Sequence, residues 1–136
     1  MAVTADARGV LEIQASGDVV MVRQATRELA GQVGLSLVDQ TKLVTAASEL
    51  ARNTLDYGGG GNVQLDLLEN GSRRGVRLIF EDQGPGIPDI QQALKDGFTT
   101  GQGLGLGLGG ARRLVNEFSI DSEVGKGTRI VIVKWK

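Results

Sequence analysis

The sequence predicts an α/β two-layer domain with a mixed or antiparallel sheet. Three observations support this: strand-like segments that come in adjacent pairs, long stretches of helical spacing between and after them, and a length that suits one hydrophobic core. A doubly wound parallel fold needs repeated strand-helix-strand units, and here the strands pair instead. The 136 residues, 40% of them apolar, are expected to form a single domain over 1–136 without disulfides or a structural metal. No internal repeat or linker interrupts them.

Val10, Leu11 and Ile13 read as a short first strand, followed by a turn at Gly17-Asp18. From about Val20 to Val33, apolar Val22, Ala25, Leu29 and Val33 recur at helical spacing, and Gly34 ends the run. A longer helix starts near Ser36 or Asp39 and runs to about Leu55, with Leu43, Ala47 and Leu50 toward the core. Val63, Leu65 and Leu67, then Val76, Leu78 and Phe80, alternate as the two strands of a hairpin ending at Glu81-Asp82. An irregular stretch follows, opened by Pro85 and Pro88 and carrying seven glycines from Gly97 to Gly110. Helical spacing returns at Leu108, Ala111, Leu114, Val115 and Phe118, and two final strands, 119–121 and 128–133, flank a turn at 123–127.

Composition excludes several chemistries. The chain has no cysteine and no histidine, which removes thiol nucleophiles, zinc fingers and imidazole as base or phosphoryl acceptor. Any base must be a carboxylate, or less readily a lysine or tyrosine. A net charge of -1 with five aromatic residues gives no case for nucleic acid. No apolar run reaches bilayer length and the first nine residues lack a signal-like pattern, so a cytoplasmic protein without membrane association is expected. The 21 glycines are about twice the usual frequency, and their positions carry the functional clue.

Four clusters can carry chemistry. Glu49 and Asn53 lie one helical turn apart and point together. A carboxylate and a carboxamide so placed can hold water and a divalent ion beside phosphate oxygens, and a glutamate can accept a proton; the alternative is a solvated helix face. Asp82-Gln83-Gly84-Pro85-Gly86-Ile87-Pro88 follows a strand, and its aspartate can accept a hydrogen bond from an exocyclic amine such as adenine's, unless the segment is merely a structural turn. Gly101-Gln102-Gly103-Leu104-Gly105-Leu106-Gly107-Leu108-Gly109-Gly110 runs into a helix and suits a polyphosphate, against the alternative of a flexible loop. Gly125-Lys126-Gly127-Thr128 is either a simple hairpin turn or one whose hydroxyl joins an adenine-side network. Residues 105–110 also satisfy G-x-G-x-x-G, but they follow an irregular segment rather than a strand, and no Walker A pattern is present.

In this order and spread over roughly 80 residues, the four clusters resemble the N, G1, G2 and G3 boxes of the GHKL ATPase and kinase superfamily. Nearly the whole chain is similar to the small anti-sigma serine kinases, especially the RsbT-type switch kinases of bacterial stressosomes. The resemblance implies a Bergerat fold: a two-layer sandwich, its mixed sheet covered by helices on one face, with ATP or ADP and Mg2+ held beneath a lid. It implies that Asp82 binds the adenine amino group, that Gly84 and Gly86 shape the pocket, and that Thr128 adds a water-linked contact. Asn53 would ligate Mg2+, and Glu49 would be the general base for a substrate serine or threonine. Gly101, Gly103, Leu104, Gly105, Leu106 and Gly107 would wrap the phosphates under a lid of residues 89–100, whose single basic residue is Lys95. Lys95, Arg52 or Arg112 would then assist Mg2+ and the loop amides in stabilising the moving phosphoryl group. Where many relatives carry a histidine after the Asn box, this chain has Asp56-Tyr57-Gly58. The implied partners are STAS-domain scaffold proteins and a PP2C-type phosphatase; the alternative is an anti-sigma switch that senses nucleotide and acts by sequestration.

Overall fold

The computed structural model describes residues 3–95 and 107–136. Its elements are β1 (Thr4–Ile13), α1 (Ser16–Gln32), α2 (Leu37–Asp56), β2 (Gly61–Asn70), β3 (Arg73–Asp82), α3 (Ile90–Ala93), α4 (Leu108–Arg113), β4 (Glu117–Glu123) and β5 (Gly127–Trp135). The strands form one five-stranded sheet in the order β1-β2-β3-β5-β4.

Period-two alternation decides which face of this sheet is covered. Val63, Leu65 and Leu67 of β2 stand opposite Phe80, Leu78 and Val76 of β3, and Phe80 and Leu78 stand opposite Ile130 and Ile132 of β5. These rows share one core with Val19, Val22 and Leu29 of α1 and Leu43, Ala47 and Leu50 of α2. Removing these side chains from water at about 25 cal/mol per Å2 of apolar surface is the main force joining the layers. The expected two-layer sandwich with helices on one face is therefore the one formed. All four strand pairings are antiparallel, whereas the resemblance implied a mixed sheet. The reason is the return path: β4 takes the edge, and the β4–β5 hairpin sends β5 back antiparallel between β4 and β3.

Three local expectations change. Gly17-Asp18 is not a turn but the first turn of α1, because the Asp18 carboxylate accepts from the backbone N–H groups of Gln14 (2.8 Å) and Ala15 (3.1 Å) and so secures the helix start. The strand expected from Val10 begins at Thr4; its first seven residues are exposed at the sheet edge, where burial imposes no alternation. The last helix, expected to reach Phe118, ends at Arg113. Lys134 donates from its ammonium to the Leu114 carbonyl (3.0 Å), and Asn116 donates to the Val133 carbonyl (2.9 Å) while accepting from the Trp135 N–H (2.7 Å). These contacts draw the chain into β4, where Phe118 and Ile120 pack on the core. Among the described residues, no helix is long and apolar enough to cross a membrane.

The opposite sheet face holds a small apolar cluster of Leu68, Val133 and Trp135, with the Arg73 guanidinium 4.9 Å from the indole centroid. It also buries the Asp66 carboxylate, which accepts from Arg77 at 2.9 and 3.0 Å and from Gln64 at 3.1 Å. Removing one partner of a buried pair strands the other charge, whereas exposed pairs are worth little. Arg77→Ala is therefore expected to cost about 3–5 kcal/mol in urea unfolding. Arg74→Ala, which breaks a 3.9 Å exposed pair with Glu69, should cost less than about 1 kcal/mol. Equal losses would contradict this assignment.

Candidate nucleotide site

The site forms where α2 ends above the ends of β3 and β5. Asn53 lies in the last turn of α2, Asp82 is the final residue of β3, and Thr128 stands directly opposite Asp82 on β5. Asn53, Asp82 and Thr128 line one cleft, whose apolar walls are Phe80, Ile87, Leu108 and Ile130. Three motifs far apart in sequence thus meet at one place, with a few polar groups among apolar walls. The cleft's volume is about 20 Å3, room for a water molecule. A broader groove of about 540 Å3 lies beside it and shares Asp82 and Thr128. That groove is lined by charged groups, including the Glu81–Arg129 pair at 3.2 Å, unlike the apolar cleft.

Asp82 is held as an acceptor. Its Oδ1 accepts from the Gly84 N–H at 2.9 Å, and the Thr128 N–H supplies a second backbone hydrogen bond. Partial burial outweighs both hydrogen bonds and raises its pKa above the ordinary value of 3.8.

The loop after β3 is tied down on two sides. The Tyr57 hydroxyl donates to the Gly86 carbonyl at 2.9 Å from the end of α2. From the β4–β5 hairpin, the Gly125 N–H donates to the Pro85 carbonyl at 2.8 Å, and Ser122 Oγ accepts from the Ile87 N–H at 2.7 Å. Close packing explains two of the glycines. Gly86 has φ +78°, and a side chain there would strike the backbone carbonyl of Glu123; a Cβ on Gly84 would lie 2.7 Å from the Gly58 backbone. Both glycines therefore set the loop's approach to its neighbours, and neither lines the cleft.

Glu49 is exposed one turn before Asn53 and lies beside Gly107, where an added Cβ would come 2.5 Å from Glu49 Oε2. The acid thus sits where the glycine-rich segment meets α4. That helix has only six residues. Lys95 is exposed just after α3 and does not line the cleft. Gly101, Gly103, Leu104, Gly105 and Leu106 lie outside the described residues, as do residues 96–100 of the expected lid. Among the described residues no cluster of three carboxylate, histidine or cysteine ligands exists. Mg2+ does not require one: it accepts one or two protein oxygens completed by phosphate and water, and the Asn53 and Glu49 oxygens on one face of α2 fit that demand.

Sequence reasoning missed Tyr57 and Ser122. Tyr57 had no signal beyond its place after the Asn box. Ser122 had one, since it continues the Phe118, Ile120 alternation that turns toward the helices.

Residues 38–136 match the family described as histidine kinase-, DNA gyrase B-, and HSP90-like ATPase. The chain is 45% identical over 125 residues to the serine/threonine-protein kinase RsbT of Bacillus subtilis (strain 168), covering 92% of this chain and 94% of that one. It is 30% identical over 120 residues to an anti-sigma F factor of Geobacillus kaustophilus (strain HTA426), covering 82% and 80%. In fold it is similar to the RsbU and RsbW domains of Rv1364c from Mycobacterium tuberculosis, with TM-score 0.60, 21% identity, and coverage of 98% of this chain but only 32% of that one. The catalytic domain of histidine kinase ThkA shares the fold with TM-score 0.53 and 16% identity, covering 98% and 95%. A cleft that gathers three dispersed motifs, a matching family profile and 45% identity over most of the chain to an RsbT together place this chain in the histidine kinase-, DNA gyrase B- and HSP90-like ATPase family, within its RsbT-type branch.

Proposed function

We propose that this chain is an ATP- and Mg2+-dependent protein serine/threonine kinase of the cytoplasm. In this reading it phosphorylates STAS-domain partner proteins of a stressosome, then changes partner to activate a PP2C-type phosphatase. The observation that carries the reading is the meeting of Asn53, Asp82 and Thr128 in one apolar-walled cleft, with Glu49 beside Gly107, the neighbour of the cleft residue Leu108. Similarity to a protein named as a serine/threonine kinase supports the reaction class.

Each residue has a task in this chemistry. Asp82 accepts from the exocyclic amine and fixes the base, while the apolar walls exclude water around it. Asn53 offers a neutral oxygen to Mg2+, which when bound neutralises phosphate charge in transfer. Residues 101–107 cradle the phosphates, and Lys95 adds a cation from the lid. Glu49 accepts the proton of the attacking serine or threonine hydroxyl. With no histidine in the chain, the phosphoryl group goes to a partner's hydroxyl or to water.

A second reading, a nucleotide-sensing switch that sequesters its partner, is favoured by the similarity to anti-sigma F factors. Incubation with labelled ATP, Mg2+ and a co-encoded STAS protein separates the two. Transfer to a serine or threonine is expected, and Glu49→Gln should lower its rate by about 100- to 10,000-fold while sparing nucleotide affinity. Labelling that survives Glu49→Gln would remove the assigned base. Sequestration without transfer would favour the switch.

Asp82 should also trade stability for binding. Its raised pKa means that the folded chain holds this proton more tightly than the unfolded chain. The ionised form therefore costs stability above the folded pKa, and the cost is relieved as pH falls through it toward 3.8. Asp82→Asn is expected to lose nucleotide affinity, yet to unfold at or above the wild-type temperature at neutral pH, with the advantage fading on acidification. Thermal unfolding at pH 7 and near pH 4 checks the sign, and a variant less stable at pH 7 would contradict it.

A further inference from the structure

We propose that Ser122 is a positioning residue that fixes the Thr128 hydroxyl as a hydrogen-bond donor toward a purine ring nitrogen flanking the amine held by Asp82. The inference rests on the nucleotide reading of the cleft and adds a residue that reading does not contain.

Asp82, Thr128 and Ser122 form one row across three strands, Asp82 opposite Thr128 and Thr128 opposite Ser122. Thr128 is only 7% exposed, so neighbouring groups rather than bulk water decide where its proton points. Ser122 has one proton and two lone pairs. The Ile87 N–H, at 2.7 Å, occupies one lone pair. The Ser122 proton has two acceptors within reach, the Gly127 carbonyl at 3.2 Å and Thr128 Oγ1 at 2.8 Å. Either oxygen can donate across the 2.8 Å separation, and a ring nitrogen, which only accepts, selects the arrangement in which Ser122 donates to Thr128. Thr128 then accepts from Ser122, and its own proton is free to point into the cleft.

The consequence is a pair of opposite polarity, the Asp82 carboxylate as acceptor beside the Thr128 hydroxyl as donor. Adenine matches that pair, with an exocyclic amine flanked by ring nitrogens that only accept. A water between Thr128 and the base preserves the match, because it accepts from Thr128 and keeps both protons for the ring. Without Ser122 the Thr128 hydroxyl turns freely, and the Ile87 N–H loses its acceptor.

The test measures binding of ATP, 1-deaza-ATP and 7-deaza-ATP to the full chain by calorimetry, for wild type, Ser122→Ala and Ser122→Thr. Ser122→Ala is expected to weaken ATP by about 5-fold, the value of one net hydrogen bond, but to weaken one of the two deaza analogues by no more than about 2-fold. Ser122→Thr, which keeps the hydroxyl, should restore ATP binding. An equal loss for all three nucleotides would mark a purely structural serine and overturn the proposal, as would no loss for any. If Ser122→Ala does not fold, Thr128→Val is read in the same way: a selective loss upholds the donor assignment and a uniform one overturns it. Asp82→Asn separates the two levels. If it abolishes ATP binding while Ser122→Ala changes nothing, only the Ser122 role fails; if it leaves ATP binding intact, the nucleotide reading of the cleft fails and the inference falls with it.

Discussion

The site depends on an aspartate kept ionisable in a place that penalises its charge. Asp82 sits where β3 leaves the sheet, half-buried, with two backbone N–H groups to steady it and no cation paired to it among the described residues. That arrangement needs the loop after β3 held against its neighbours. Tyr57 from α2 and the Gly125 and Ser122 contacts from the β4–β5 hairpin hold it, and glycines at 84 and 86 let the backbones approach closely enough. A carboxylate that has given up water without gaining a counter-charge is a strong acceptor for a ligand's donor.

The two sheet faces divide the labour. The covered face is an ordinary apolar core between strands and helices, and the cleft is where that core runs out at the strand ends. Phe80 and Ile130 belong both to the core and to the cleft wall, so the wall is as rigid as the core behind it. Among the described residues, the other face has no helix layer. It satisfies its buried groups locally, through Arg77 on Asp66 and through Arg73 and Glu117 around Trp135.

Legibility in the sequence followed burial. α2, β2, β3 and β5 were readable because the face that each turns to the main core carries a regular apolar period, as at Leu43, Ala47 and Leu50 or Val76, Leu78 and Phe80. The first half of β1 had no such period because it lies exposed at the edge. The boundary at Arg113 was missed because Leu114, Val115 and Phe118 keep helical spacing by coincidence, while the contacts that end the helix come from Asn116, Val133, Lys134 and Trp135. Of the site, Glu49, Asn53, Asp82 and Thr128 were legible as motifs. Tyr57 was not, because its bond goes to a backbone carbonyl remote in the chain, and Ser122 was signalled only by the alternation it shares with Phe118 and Ile120.

By itself the sequence determined the chemical inventory: carboxylates and amides without histidine or cysteine, and glycines concentrated in a few short segments. These are local properties of side-chain chemistry and apolar period. The tertiary structure alone decided that the sheet is antiparallel throughout, that Asp82, Thr128 and Ser122 stand in one row, and that Glu49 lies beside Gly107. Those facts are fixed by strand register and by the way α2 and α4 pack, which no short window of residues encodes.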